Sequence, residues 1–129
     1  MKDILVPISP GELLDKITIL RIKSAHIADV SKLGHVRLEL DLLERTWRET
    51  CGEADIADEE DALQAVNERL WDIEDRIRAK EAGGSFDQEF IELARAVYIE
   101  NDRRAALKKR INLALGSRLV EEKSYRDYR

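Results

Sequence analysis

The longest uninterrupted helical pattern in this chain runs from Ser85 to Gly116, SFDQEFIELARAVYIENDRRAALKKRINLALG. Ser85 is a favourable N-cap residue, Gln88 completes a capping box, and Gly116 suits the position just after a helix C-terminus. No proline or glycine lies between these two ends. A helix of this length would extend about 45 Å. The pattern therefore predicts one long helix around which a small all-α domain is built.

Polar residues interrupt the apolar row of this predicted helix. Apolar side chains recur at steps of three and four residues near both of its ends, at Phe86, Phe90, Leu93, Val97, Ile111 and Leu115. In the middle, the same row contains Asn101, Arg104 and Lys108. A guanidinium on a core-facing row cannot lose its charge, so it must be paired or hydrated. The interruption predicts either a polar ligand pocket or a layer of ion pairs inside the domain.

Helix-start signals and apolar periodicity predict three further helices. Their predicted ranges are Pro10 to about Ala28, a segment capped by Ser31 that ends near Thr50, and Glu59 to about Ala82 with Asp58 as its cap. The short β-branched segment before them, residues 4–8, contains a proline and predicts an extended arm or edge strand. The predicted fold is all-α, an antiparallel bundle of four main helices with a short extended N-terminal arm. It forms one domain over residues 1–129, with an arm at 1–8 and a C-terminal tail at 117–129.

The apolar positions of these four helices predict the core. Side chains at steps of three and four residues along each helix share one face, and that face should be buried. The predicted core residues are Leu13, Ile17, Leu20, Leu40, Leu43, Leu70, Ile73, Phe90, Leu93, Val97 and Ile111.

Charge and composition exclude several functional classes. The net charge of −5 argues against a general nucleic-acid binder, which needs a basic face. Cys51 is the only cysteine, so no intrachain disulfide can form. No apolar run approaches the roughly 20 residues that cross a bilayer, and no signal peptide is evident. We expect a cytoplasmic protein without a membrane span.

The polar interruption supplies the candidate ligand site. Arginine pairs bind phosphate or carboxylate in a bidentate manner, which predicts an anionic small ligand such as a nucleotide or nucleotide-sugar. The candidate ligand-binding residues are Asn67, Asn101, Arg103, Arg104 and Lys108. The alternative is structural: Arg104 would pair with an acid of the third helix, and Asn101 with Asn67. The candidate acids are Asp72, Glu74 and Asp75.

Two carboxylate pairs raise the alternative of a metal site. Asp72 and Asp75 are three residues apart on the third helix, and Glu89 and Glu92 repeat that spacing on the fourth. Oxygen ligands on facing helices would bind Mg²⁺, and the arrangement resembles that of the all-α nucleotide pyrophosphohydrolases. The chain contains 27 acidic residues, so such spacings also arise by chance. The sequence contains no nucleophile–base pair and no Gly-rich phosphate loop.

Several stretches of the chain resemble one family. The segments VPISPGELLDKITILRIKSAHIADVSKL, LWDIEDRIRAKE, FDQEFIELARAVYIENDRRAALKKRIN and EEKSYRDY are similar to a family of small bacterial all-helical proteins of unknown function. The resemblance implies no activity, cofactor or catalytic residue. It implies an association with glycosyltransferase and surface-polysaccharide genes. Together with the absence of a catalytic constellation, it favours a non-catalytic binding or accessory protein with a protein partner.

The dimensions of the chain predict a homodimer. A helix of about 45 Å is long for a compact monomer of 129 residues, whose radius of gyration should be about 14 Å. The predicted arm also offers an unpaired edge for a second chain.

Overall fold

The computed structural model describes residues 1–128, and all of its regular secondary structure is helical. Its four helices are α1, Pro10–His26; α2, Val30–Cys51; α3, Ala57–Ala82; and α4, Gln88–Ala114. The predicted all-α bundle of four main helices is confirmed. Residues 1–8 are exposed and form no strand, so the edge-strand alternative for the arm is wrong. Position 129 of the predicted tail lies outside the described residues.

Aspartates, not the predicted serines, cap two of the helices. The Asp29 carboxylate accepts a hydrogen bond from the N–H of Lys32 at 2.9 Å, and that of Asp87 accepts from the N–H of Phe90 at 3.0 Å. The predictions of Ser31 and Ser85 as caps are therefore wrong. The cause at Ser85 is that its N–H donates to the carbonyl of Lys80 at 2.9 Å, which makes Ser85 part of the turn that follows α3.

Other helix ends lie close to their predicted positions. Helix α1 ends at His26, two residues before the predicted end. Helix α3 begins two residues early, with Asp58 inside its first turn rather than at its cap. Gly84 and Gly116 both have positive φ, at 65° and 68°, so each reverses the chain after a helix as the sequence predicts.

Helices α3 and α4 form an antiparallel hairpin, and α1 packs across both. Ion pairs join the hairpin along its length, Arg69 to Glu100 and Arg76 to Glu89, each at 3.1 Å. Between the three helices lies the main apolar core, formed by Leu14, Ile56, Leu63, Val66, Leu70, Leu107 and Ile111. These three helices form the compact part of the molecule.

Helix α2 packs against α1 alone and contains no buried residue. Leu40 and Leu43, predicted as core residues, are half-buried because only one neighbouring helix covers them; Phe90 and Val97 are half-buried as well. The other predicted core residues are buried. At the level of the second half of α2, Arg21 of α1 forms ion pairs with Glu44 at 3.5 Å and with Glu60 of α3 at 2.9 Å.

Candidate functional site

The polar interruption of α4 lies against α1, where it meets one buried carboxylate. Asp15 is 2% exposed. The Arg104 Nε atom is 3.5 Å from Asp15 Oδ1, and Lys108 Nζ is 3.9 Å from Asp15 Oδ2. The expected acidic partners on α3 are therefore wrong for Arg104, because the carboxylate opposite it belongs to α1. The α3 acids Asp72 and Glu74 instead pair with Arg76 and Arg78 of their own helix.

Asn67 of α3 completes a buried polar network around Asp15. Its side-chain amide donates to Asp15 Oδ1 at 3.0 Å and to Thr18 Oγ1 at 2.9 Å. The Thr18 hydroxyl donates in turn to the Asp15 carbonyl at 2.8 Å. The predicted pairing of Asn67 with Asn101 is wrong, because the Asn67 amide donates to α1. The network links α1, α3 and α4 at one level of the bundle.

Lys108 lies beside this network and is bound to carboxylates on three sides. Its ammonium is 2.7 Å from Glu12 and 3.1 Å from Glu121 of the C-terminal tail, in addition to Asp15. Burial acts to lower the pKa of Lys108, but the hydrogen bonds with Glu12 and Glu121 and the charge of Asp15 outweigh it, so this pKa is raised. Its three donors are directed at groups of its own chain.

A close approach of α1 and α4 brings these groups together. The N–H of Gly11 donates to the side-chain oxygen of Asn112 at 2.7 Å. A Cβ atom at position 11 would lie 2.5 Å from the Lys108 carbonyl oxygen, which no side chain can tolerate without a shift. Glycine at position 11 therefore lets α4 reach the carboxylates of α1.

Arg104 also forms one wall of an open groove between α1, α3 and α4. The groove has a volume of about 380 Å³, within the range of small-molecule sites. Its floor is apolar, and the half-buried indole of Trp71 stacks on His26 with ring centroids 5.1 Å apart. The lining residues are Ile19, Ile22, Lys23, Asn67, Leu70, Trp71, Glu74, Asp75, Arg78 and Arg104.

The Arg104 guanidinium is a polar group of the groove with donors to spare. Its side chain is 32% exposed, and its ion pair with Asp15 is long. Within residues 1–128 it donates no hydrogen bond. The Arg78 guanidinium differs in that its Nε atom donates to Glu74 at 3.1 Å. An anion at the mouth of the groove would therefore find the donors of Arg104 available.

The remaining predicted ligand residues lie elsewhere. Arg103 forms an ion pair with Glu100 at 2.6 Å and is exposed outside the groove. Asn101 is half-buried and does not line the groove. Of the five predicted ligand-binding residues, the structure brings Asn67 and Arg104 together at the groove and places Lys108 in the network beneath it. The apolar floor and Trp71 were not predicted as site residues, since their spacing is also that of a core.

The four carboxylates proposed for Mg²⁺ do not assemble into a metal site. Lys80 binds Glu89 at 3.0 Å and Asp87 at 2.9 Å, and the hydrogen bond from Lys80 lowers the pKa of Glu89. Across residues 1–128, no group of three or more His, Cys, Asp or Glu side chains is arranged to hold a metal ion. The geometry therefore gives no support to a site formed by Asp72, Asp75, Glu89 and Glu92.

Comparison with known proteins identifies the family of the chain. A model of a family of unknown function, DUF6165, matches residues 4–128. The chain belongs to this family. Curated proteins and solved structures yield no match. In the part of the chain that is described, none of the helices is both long enough and apolar enough to cross a membrane.

Proposed function

We propose that this member of DUF6165 is a non-catalytic binding module, and that its ligand site is the groove between α1, α3 and α4. The observation that carries the proposal is the Arg104 guanidinium, which lines an apolar groove and donates no hydrogen bond within residues 1–128. Buried donors are normally satisfied inside the chain, whereas the Arg104 side chain is 32% exposed. The donors of Arg104 are available to an external anion instead.

The groove favours a ligand that joins an anionic group to a planar or apolar part. Arg104 and Lys23 supply positive charge, while Trp71 with the apolar floor supplies a surface for a ring. Nucleotides and nucleotide-sugars combine both features. They are the first class to test, because the family resemblance implies an accessory role beside glycosyltransferases that use them. Asp75 on the same wall favours a ligand that also carries a hydroxyl or an amine.

Thermal stability in the presence of ligands tests this proposal. A ligand at 100 times its Kd should add about 2.7 kcal/mol to the free energy of unfolding, which raises Tm by on the order of 10 °C. In Arg104→Gln we expect this shift to disappear while the Tm of the free protein changes little, because Asp15 keeps Asn67 and Lys108 as partners. The screen uses nucleoside mono- and diphosphates and nucleotide-sugars, with and without Mg²⁺ or Mn²⁺.

Arg103→Gln is the matched control for that experiment. Arg103 is adjacent in sequence, equally charged and outside the groove, so its loss should leave the ligand-induced shift unchanged. An equal loss of the shift in both variants would indicate a general charge effect and refute the groove as the site. A loss of more than about 2 kcal/mol of stability in Arg104→Gln, without any effect on ligands, would make Arg104 a structural residue.

We also propose that the module acts as a homodimer in the cytoplasm. The described arm exposes Ile4, Leu5 and Val6 at 79%, 91% and 65%, which is an unusual concentration of exposed apolar side chains. Light scattering at high micromolar concentration should give the mass of two chains, 14.9 kDa each. The mass of one chain would refute the dimer and leave the groove proposal untouched.

A further inference from the structure

The face of α2 that points away from α1 has no helix packed against it. No α2 residue is buried, and the half-buried residues lie on the side that meets α1. On the opposite side, Leu38 is 62% exposed and Leu42 is 41% exposed. Helical geometry places Gly34, Leu38, Asp41 and Arg45 on that outer side in a continuous row. We name this row, together with Leu42, the outer face of α2.

Gly34 on this face is not required by packing within a single chain. A Cβ atom at position 34 would meet nothing within 4 Å, so space does not require glycine. Glycine inside a helix costs about 1 kcal/mol relative to alanine. Glycine is useful in a helix where another backbone approaches closely, as Gly11 shows in the contact between α1 and α4. Gly34 therefore marks a place on the outer face where a second helix can come near.

Near Leu38, basic residues precede it in the chain and acidic residues follow it. His35 and Arg37 precede Leu38, whereas Glu39 and Asp41 follow it, and all four are exposed. In an antiparallel pair of identical helices centred on Leu38, the basic side of one helix faces the acidic side of the other. A parallel pair would place like charges together. The charge order thus fits a second copy of α2 in antiparallel orientation.

We infer that the outer face of α2 is the dimer interface, with two copies of α2 antiparallel about a two-fold axis at Leu38. This assignment rests on the proposed homodimer and names its surface. At the axis Leu38 packs on the partner's Leu38, and one turn away the residues around Gly34 oppose those around Asp41 and Leu42. Arg37 of each chain then lies within reach of an acidic residue, Asp41, of the other.

The exposed arm fits the same arrangement. Val6 and Ile8 lie in a groove with Thr46 and Arg48, near the C-terminal end of α2. Around an axis at Leu38, the level of Thr46 in one chain faces the level of Val30 in the other. Val30 is 85% exposed at the N-terminal end of α2. The pairing therefore places Val30 of one chain at the level of the other chain's apolar arm.

Analytical ultracentrifugation of Leu38→Glu tests the interface. A carboxylate on the two-fold axis faces its own copy in an apolar contact, so we expect the dimer Kd to rise by at least about 30-fold. Leu113→Glu is the matched control, because Leu113 is 64% exposed on α4, outside the outer face of α2, and its replacement should leave the Kd unchanged. Circular dichroism of both variants verifies that the fold is retained.

A charge exchange tests the antiparallel orientation. Arg37→Asp and Asp41→Arg should each raise the dimer Kd, whereas the double variant should return it to within about threefold of the wild-type value, since the facing charges are again opposite. Additive weakening in the double variant would refute the antiparallel pairing.

The possible results separate the two proposals. A wild-type protein that is monomeric at high micromolar concentration overturns both the homodimer and this interface. A dimer that Leu38→Glu and Leu113→Glu leave equally intact overturns the interface alone. A dimer weakened by Leu38→Glu, spared by Leu113→Glu and restored by the charge exchange supports both.

Discussion

Lys108 and Lys109 are neighbours in sequence, but the charge of Lys108 is buried whereas that of Lys109 is exposed to solvent. The Lys108 side chain is 9% exposed and contacts three carboxylates, one of them the buried Asp15. The Lys109 side chain is 47% exposed and pairs with Glu122, itself 73% exposed. Water screens the second pair and cannot screen the first. Removal of the charge should therefore cost the fold more at position 108 than at position 109.

Replacing each lysine by methionine tests this difference. Lys108→Met leaves the Asp15 carboxylate buried with only the amide of Asn67 and a long contact to Arg104, so we expect a loss of about 3 kcal/mol of stability. Lys109→Met removes an exposed pair and should change stability by less than about 1 kcal/mol. Urea unfolding followed by circular dichroism measures both. Equal effects would mean that the Asp15 network contributes no more than a surface ion pair.

The sequence located one half of this network and missed the other. Arg104 and Lys108 stand out because they interrupt a long apolar row. Asp15 and Thr18 lie in LLDKITIL, where the many apolar neighbours hide two polar residues that are buried as well. Helical periodicity shows which face of α4 is polar, but it does not show which of the three other helices that face meets. Acids on α3 were expected for that reason, and the carboxylate on α1 was not.

At the scale of the helices, α2 and α3 have similar apolar patterns and different environments. Leu63 of α3 is 0% exposed and lies at the centre of the core, whereas Leu40 of α2 is half-buried. The stripe of apolar residues predicts that a helix packs, but not how many neighbours cover it. That number depends on the tertiary arrangement, which explains why the stripe predicts Leu40 and Leu43 in the core although both are half-buried.

Alanine substitutions measure the difference between these helices. Leu63→Ala should lower the free energy of unfolding by about 3–5 kcal/mol, since it opens a cavity in a fully enclosed site. Leu40→Ala should cost about 1–2 kcal/mol, because water can enter the space that the side chain leaves. Chemical denaturation should be done below the concentration at which chains associate. An equal cost at both sites would show that α2 is enclosed as fully as α3.

The C-terminal tail is a further element, held to α4 mainly by polar contacts. Glu121 and Glu122 bind Lys108 and Lys109 at 3.1 and 3.2 Å, and the Tyr128 hydroxyl donates to Asp102 at 2.7 Å. The hydrogen bond from Lys108, followed by its charge, holds the pKa of Glu121 below its ordinary value of 4.5. An ionised Glu121 therefore contributes to the docking of the tail.

Acidification should release the tail before it affects the start of α4. Because the pKa of Glu121 is lowered on docking, its contribution is complete above pH 4.5 and is lost as the pH falls through the lower value of the docked state. The Asp87 cap of α4 should remain ionised to lower pH, since Lys80 and the Phe90 N–H hold the pKa of Asp87 at about 2. The NMR signals of Tyr98 and Tyr128, whose rings lie 4.9 Å apart, report tail release. In Glu121→Gln this pH dependence should be reduced, and an unchanged profile would assign it to another group.

At the scale of the molecule, the chain is a three-helix core with α2 packed on its outside. The sequence was sufficient for the number of helices, their approximate ends and most of the core, because these depend on local caps and periodicity. The sequence was not sufficient to predict the groove, because its walls are formed by residues as far apart in the chain as Lys23 and Arg104. No local pattern shows that Trp71 lies beside Arg104.

The buried pair of Asp15 and Lys108 also limits how this family can diverge. A neutral residue at position 108 strands a carboxylate inside the domain, and a neutral residue at position 15 removes a buried partner of the ammonium. Replacing both by apolar side chains of similar volume removes both charges at once and should cost less than either single replacement. Among relatives, the two positions should therefore change together, and a chain that retains only one of the two charges should carry a compensating charge nearby.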